Sequence, residues 1–469
     1  MTGPDGWRLA GTTLRQRSAT AIGDAQLKRN LAAQTDRLAG MRVRGLAALD
    51  GVDDLRQAAR AVKAGLIANL PAVLERMADR VLALGGHVCW AATAEDANRY
   101  IADVARAAGA RTVVKSKSMA TEETGLNEAL AEAGCEVVET DLGEWIIQLA
   151  GDTPSHIIAP AMHLDRHQVN AILRERAAAG ELPAEPEAMT AFARSRLREA
   201  FLRADLGVTG ANFGVAETGS VVLVTNEGNG RMVTSLPRVH VAVMGMERVV
   251  ATWDQLDLLL NLLTRSATGQ PLSAYTSVVT GPRRHGEVDG PDEFHLVVLD
   301  NGRSEVLGTE LQEILHCIRC GACLNVCPVY RQIGGHAYGW VYGGPVGAVL
   351  TPLLNRTDKE AAELSGASSL CGACMDACPV AIPLQDLLLS LRRRKAEAAG
   401  GLERAVWRAF ATAWSDPRRY RATLRAASLS RGLASFAPSV PGLARWAAGR
   451  EAPRPARDSF RRRWERGDV

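Results

Sequence analysis

The chain has 469 residues, 47% of them hydrophobic and 23% charged, a length beyond the roughly 250–300 residues at which one core stops growing, so two or three folded units are expected. This balance excludes a disordered, collagen-like or disulfide-rich secreted chain. The formal net charge of +3 hides a division: from Ser390 to Val469, 19 Lys and Arg face 7 Asp and Glu, which leaves 36 against 45 in residues 1–389.

In chain order, Met1 to Trp7 and the arginine-rich stretch after them lack an apolar core with a small-residue cleavage site, so no secretion signal is expected. The longest uncharged apolar runs, such as Pro345 to Leu354 and Val221 to Thr225, fall far short of the roughly 20 residues that span a bilayer. A cytoplasmic protein without a transmembrane segment is the expectation. Residues 1–65 read as a helical segment, with Leu27, Leu31 and Leu38 at helical intervals. In residues 66–300, strands expected at 86–92, 112–114, 136–140, 156–159, 221–225, 239–243, 275–280 and 294–299 alternate with helices at 94–108, 121–133, 166–179, 187–203 and 253–266. That alternation implies an α/β domain with a parallel or mixed sheet. Residues 301–392 carry the cysteine motifs, with a helix over 304–316 leading into Cys317 and another over 357–363. Residues 393–469 form a basic C-terminal region in which Trp407, Phe410, Trp414, Leu424, Leu429 and Leu433 interleave with arginines at helix-like intervals. This pattern reads as a solvated helical face; the competing reading is peripheral contact with an acidic membrane surface or an acidic partner protein, and no nucleic acid is expected.

The α/β domain has neither a P-loop nor a G-x-G-x-x-G after a strand, and Gly207 to Gly214 has the wrong spacing, so no nicotinamide or flavin site is expected. Three segments invite a ligand: Lys115 to Met119 at a strand end, His156 and His163 with His167, and Glu217 to Ser220. Basic and hydroxyl groups at a strand's carboxyl edge suit an anion. The histidine spacings suit core or surface roles better than metal ligation.

Cys89 and Cys135 stand alone in apolar, strand-like surroundings and read as buried packing residues. The other seven form two motifs. Cys317, Cys320, Cys323, Cys327 and Pro328 spell C-x2-C-x2-C-x3-C-P, the bacterial ferredoxin pattern, and Cys371, Cys374, Cys378 and Pro379 spell C-x2-C-x3-C-P. A cysteine at every third residue of a tight loop wraps thiolates around one face of an iron–sulfur cubane, while the last cysteine leaves on another heading and ligates the other cluster. Zinc sites favour two C-x2–4-C pairs, and disulfides do not suit a chain without a secretion signal. The crossed rule gives the first cluster Cys317, Cys320, Cys323 and Cys378. The second receives Cys327, Cys371 and Cys374 and is one ligand short. The position three residues before Cys371 is Ser368, whose oxygen is a poor substitute for a thiolate. A four-iron cluster with one labile iron is the expectation, a three-iron cluster its alternative. The motifs are 43 residues apart, which suits a helical ferredoxin module better than a compact ferredoxin. The intervening Gly334-Gly-His-Ala-Tyr-Gly-Trp-Val-Tyr-Gly-Gly-Pro345 reads as a structural loop.

Ala204-Asp-Leu-Gly-Val-Thr-Gly-Ala-Asn-Phe-Gly-Val-Ala-Glu-Thr-Gly-Ser220, Val114-Lys-Ser-Lys-Ser-Met119, Gly334 to Trp340 and the two cysteine motifs together resemble the lactate utilisation protein B family, over nearly the whole chain. The resemblance implies an α/β LUD-type domain, similar in fold to sugar-phosphate isomerases and coenzyme A transferases, followed by an α-helical ferredoxin module and a basic helical C-terminal region. It implies two four-iron clusters on the seven cysteines, the serine at 368 being shared with the family. It also implies an iron–sulfur electron-transfer subunit in the oxidation of L-lactate to pyruvate. The partners implied are the other two lactate-utilisation proteins, a cysteine-rich subunit and a second LUD-type subunit. Neither the final electron acceptor nor the subunit holding lactate follows from it. One rival reading is an acyl or phosphosugar enzyme with structural clusters, using Glu217 as nucleophile or base and Lys115 or Lys117 as anion contacts. Another is an iron–sulfur subunit for a different 2-hydroxy acid oxidase.

Overall fold

The computed structural model describes residues 12–398, 401–429, 432 and 456–468. Its centre is a six-stranded sheet built from valine-rich runs: β1 (His87–Ala91), β2 (Thr112–Lys115), β3 (Glu136–Glu139), β4 (Leu206–Gly210), β7 (Val239–Gly245) and β10 (Glu293–Leu299). Their order is β1-β10-β7-β4-β2-β3, and every pairing is parallel, with Val113 opposite Leu206 and Val208 opposite Val241. Parallel strands need cover on both faces. One face buries Ile101, Ala105, Leu126 and Leu130 from the helices that follow β1 and β2. The other buries Trp145, Leu173, Leu197 and Phe201 from Leu142–Ala150, Arg166–Arg176 and Pro186–Arg203. A second sheet, in the order β8-β5-β6-β9, comprises β5 (Phe213–Val215), β6 (Ser220–Thr225), β8 (Val249–Val250) and β9 (Tyr275–Val279), with β6 antiparallel to both neighbours.

The α/β alternation is as expected, and several elements differ in detail. Residues 156–159 form no strand but a bend, because the His156 ring accepts the amides of Ile158 and Ala159 through Nδ1 at 3.2 Å each and competes with a strand ladder. The helix expected over 121–133 breaks at left-handed Gly125 (φ 67°) into Met119–Thr124 and Leu126–Glu132. Residues 304–316 are two 3-10 turns, Ser304–Val306 and Gln312–His316, rather than one helix. β4 was hidden by its glycines, yet Gly207 is required there: a Cβ would lie 2.1 Å from the Val233 carbonyl oxygen. Cys135 is buried, but Cys89 is only half-buried, since β1 is an edge strand of its sheet.

Helix Ala25–Ala47 packs on both Trp253–Thr268 and the cysteine-bearing helix Ala322–Val326. One continuous core runs from Leu31 and Leu46 through Val222 and Leu259 to Leu324, Tyr338 and Leu388. Residues Met1–Arg392 accordingly form one compact unit, and Arg393–Val469 a second. In the second unit, Gly401–Trp414 and Pro417–Leu429 are helical, and Trp407, Phe410 and Trp414 are exposed while touching ring to ring. Met1 to Trp7 and Leu433 lie outside the described residues. Among the described residues no helix is long and apolar enough to cross a membrane.

Candidate metal centre

The two cysteine motifs fold as copies of one another. In each, a residue at positive φ (Arg319, 59°; Leu370, 55°) precedes a cysteine, and a left-handed glycine (Gly321, 75°; Gly372, 85°) follows it. A five-residue helix comes next, Ala322–Val326 in one and Ala373–Ala377 in the other, capped by Cys327 and Cys378 in matching extended conformations. These two helices pack together. The copy extends to Ser368. The Arg319 amide donates to Cys317 Sγ at 3.4 Å, and the Leu370 amide donates to Ser368 Oγ at 3.1 Å. Ser368 therefore takes the place that Cys317 holds in the first motif, and its half-buried hydroxyl serves the turn.

Folding sorts the seven sulfurs into two sets. Cys317, Cys320, Cys323 and Cys378 line one apolar chamber with Ile157 and Val346. Cys327 and Cys371 both raise the thiol of Cys374 and Cys371 raises that of Cys327, while Cys374 also bears on Cys323, so the two sets adjoin. Burial, with the neighbouring thiols, pushes Cys320 and Cys374 up to about 12 and Cys378 to about 11. Thiols this crowded become thiolates when a metal takes the protons' place. Among the described residues no three cysteine sulfurs come within 4.8 Å of one another, whereas tetrahedral ligands on a single zinc at about 2.3 Å would stand closer than that. The donor set fits a multi-iron group. Cations surround the first set: Arg248 Nη1 donates to the Cys317 carbonyl at 2.8 Å, Arg56 Nε to the Cys378 carbonyl at 3.0 Å, and Arg319, whose amide meets Cys317 Sγ, pairs with Glu247 at 3.1 Å. In the second set Cys371 is exposed, and the Ala373 amide pulls its thiol below the usual value.

Lactate utilization protein B of Macrococcus caseolyticus (strain JCSC5402) is 46% identical over 466 residues, covering 97% of each chain. The chain belongs to the lactate utilisation protein B family. Its family models are the LUD domain over residues 74–299, the 4Fe-4S dicluster domain over 313–382 and the lactate utilisation protein B C-terminal domain over 390–468. The lactate utilization protein B of Bacillus velezensis is 46% identical over 97% of each chain. The Escherichia coli (strain K12) protein named uncharacterized electron transport protein YkgF is 46% identical, over 97% of this chain and 96% of its own.

Other residues singled out in the sequence take different parts in this family member. Lys115 is no anion contact: it is fully buried, with Glu122 and Glu139 each at 2.8 Å and Thr121 at 3.0 Å, so its charge is spent inside the fold. Glu217 is exposed and caps Trp253–Thr268 by accepting the Trp253 amide at 3.2 Å. His156 is buried and kept neutral, its pKa lowered to about 3 by burial, and joins Asn325 at 3.2 Å. His167 is exposed on its helix, while His163 meets Asp152 at 3.0 Å and lies near His336. The arginines around Cys317 were invisible as site residues, because their partners are far away in sequence.

Proposed function

We propose that the protein is the iron–sulfur electron-transfer subunit of an L-lactate-oxidising system, relaying the electrons released as L-lactate becomes pyruvate. The sorting of seven mostly buried cysteines into two adjoining sets carries this reading. Relatives named for lactate utilisation and for electron transport support it. Cys317, Cys320, Cys323 and Cys378 would hold one four-iron cluster, and Cys327, Cys371 and Cys374 a second whose remaining iron lacks a cysteine. Such clusters, when bound, accept and release electrons singly, and a pair matches the two electrons of a hydroxy acid oxidation. The chain's own part is to bury one set among cations, which favours added negative charge, and to leave Cys371 of the other at the surface, where a partner can approach. In this reading residues 1–65 are a helical segment, 66–300 the LUD-type domain, 301–392 the ferredoxin module and 393–469 the basic region. The partners are the cysteine-rich and second LUD-type lactate-utilisation proteins. The setting is the cytoplasm, with the basic region able to approach the inner membrane face. The enzyme rival keeps Lys117 alone of its residues, since Lys115 is consumed and Glu217 is a cap.

In the complex purified without oxygen, L-lactate is expected to bleach the cluster absorbance; clusters that stay oxidised while lactate is consumed would overturn the relay. A second expectation concerns Ser368. Mild oxidation of the wild type releases one iron from the set of Cys327, Cys371 and Cys374, seen as a three-iron EPR signal. Ser368→Cys supplies the missing thiolate and abolishes most of that signal. An undiminished signal would place the labile iron elsewhere.

A further inference from the structure

The carboxyl ends of β2, β4 and β7 open into a cavity of about 330 Å³, a size that suits a small ligand. From β2 the chain steps to β3 on one side, and from β4 it steps to β7 on the other. The cavity thus stands where the chain reverses its progress across the sheet, the place where open parallel sheets bind ligands. Its lip is the Ser116-Lys-Ser-Met119 segment singled out in the sequence, facing Ala211 and Asn212. Lys117 is the spare charge there. Its Nζ is buried and has no hydrogen-bond partner, and the nearest carboxylate, Glu144, is 3.9 Å away. That contact is an ion pair beyond hydrogen-bond distance, so the donors of the ammonium stay unused. A buried ammonium without a hydrogen bond is costly, and a bound anion removes that cost. Glu227 also lines the cavity, from its exposed rim, where its Oε2 accepts the Leu142 amide at 3.0 Å. Ile157 and Arg319 are shared by this cavity and by the chamber of Cys317, Cys320, Cys323 and Cys378.

We propose that this cavity is a binding site for a small 2-hydroxy carboxylate on this chain itself, with Lys117 holding the carboxylate and Glu227 taking a hydrogen bond from the hydroxyl. An ammonium with no hydrogen bond selects a carboxylate, an acceptor lining the same cavity selects a hydroxyl, and the shared wall sets the ligand against the first cysteine set. The choice of L-lactate rests on the lactate-utilisation reading.

The test is calorimetric titration of the isolated, iron-replete full chain with L-lactate, and with propionate, which lacks the hydroxyl. L-lactate is expected to bind saturably and propionate about tenfold more weakly. Lys117→Met is expected to weaken L-lactate about tenfold or more at unchanged iron content, while Lys117→Arg keeps most of the affinity. Because Lys117 makes no hydrogen bond, Met should fold. Independently of any variant, L-lactate should slow amide exchange at 116–119 and 225–229 in the wild type. No saturable binding, equal affinity in Lys117→Met, or protection elsewhere alone would overturn the site. If the three-protein complex is reduced by L-lactate while this chain alone does not bind it, the relay stands and the site falls. If the chain binds L-lactate and the complex is not reduced, the site stands and the relay falls.

Discussion

Cys378→Ser is expected to lose the iron held with Cys317, Cys320 and Cys323, and to spare that held with Cys327, Cys371 and Cys374; Cys327→Ser should do the opposite. Each motif keeps its first cysteines on one tight loop and sends its last to the far end of a five-residue helix. At 1.5 Å per residue that is a displacement of about 7 Å, enough to move a sulfur from one set to the other. The packing of Ala322–Val326 on Ala373–Ala377 then exchanges the two last cysteines. Each variant should retain about half of the wild-type iron, and EPR of the reduced protein should show a different surviving signal in each. Cys378→Ser should also lower the thermal midpoint more than Cys371→Ser does, because Cys378 is buried in the continuous core and Cys371 is exposed. The reverse pairing in the EPR spectra would refute the crossed arrangement.

The cysteine sets were legible because their information is local: spacing, a glycine and a proline fix the loop wherever it lies. Even the gap at Ser368 could be read by counting back three residues, although only the matching amide contacts of Arg319 and Leu370 show that serine and cysteine occupy equivalent places. What could not be read is long-range. Lys115 looks available in the sequence, since nothing there shows Glu139 returning on the neighbouring strand to meet it. Arg248 and Arg319 carry no local signal either, and they wall the buried site only because the turn after β7 lies against the first cysteine loop. Helix Gly344–Leu354 escaped for a different reason. It is buried almost all round, so it has no polar face to produce a period, and Gly343, Gly344 and Pro345 suggested a loop.

The same long-range logic predicts the largest loss of stability. Arg303 is buried and grips Glu123 with two parallel bonds of 2.8 Å, from Nη1 to Oε1 and from Nη2 to Oε2. Its Nε lies 2.8 Å from Glu247 Oε2 but off the hydrogen-bond axis, so that contact is an ion pair without a hydrogen bond. Glu247 reaches on to Arg319 at 3.1 Å, and Tyr342 donates to Glu123 at 2.8 Å. One guanidinium thus joins helix Met119–Thr124 and the turn after β7 to the cysteine loop. Arg303→Met leaves two buried carboxylates without it and should cost about 3–5 kcal/mol, a fall in melting midpoint of about 5 °C for a unit of this size. Arg303→Lys should recover only part, because an ammonium cannot span both oxygens of Glu123 while reaching Glu247. The pH dependence separates this from simple loss of packing. Arg303 is foremost among the cations that hold Glu247 down to about 2, below its ordinary value of 4.5. That contribution is complete above pH about 4.5 and is lost as pH falls toward 2. Without Arg303 the Glu247 pKa rises, so the deficit of Arg303→Met should be greatest near neutrality and shrink through this acid window. A deficit of the same size at pH 7 and pH 3, by calorimetry, would assign the loss to packing. Because Glu247 also positions Arg319, the EPR signal of the cluster on Cys317 should shift in Arg303→Met while that of the cluster on Cys371 stays put.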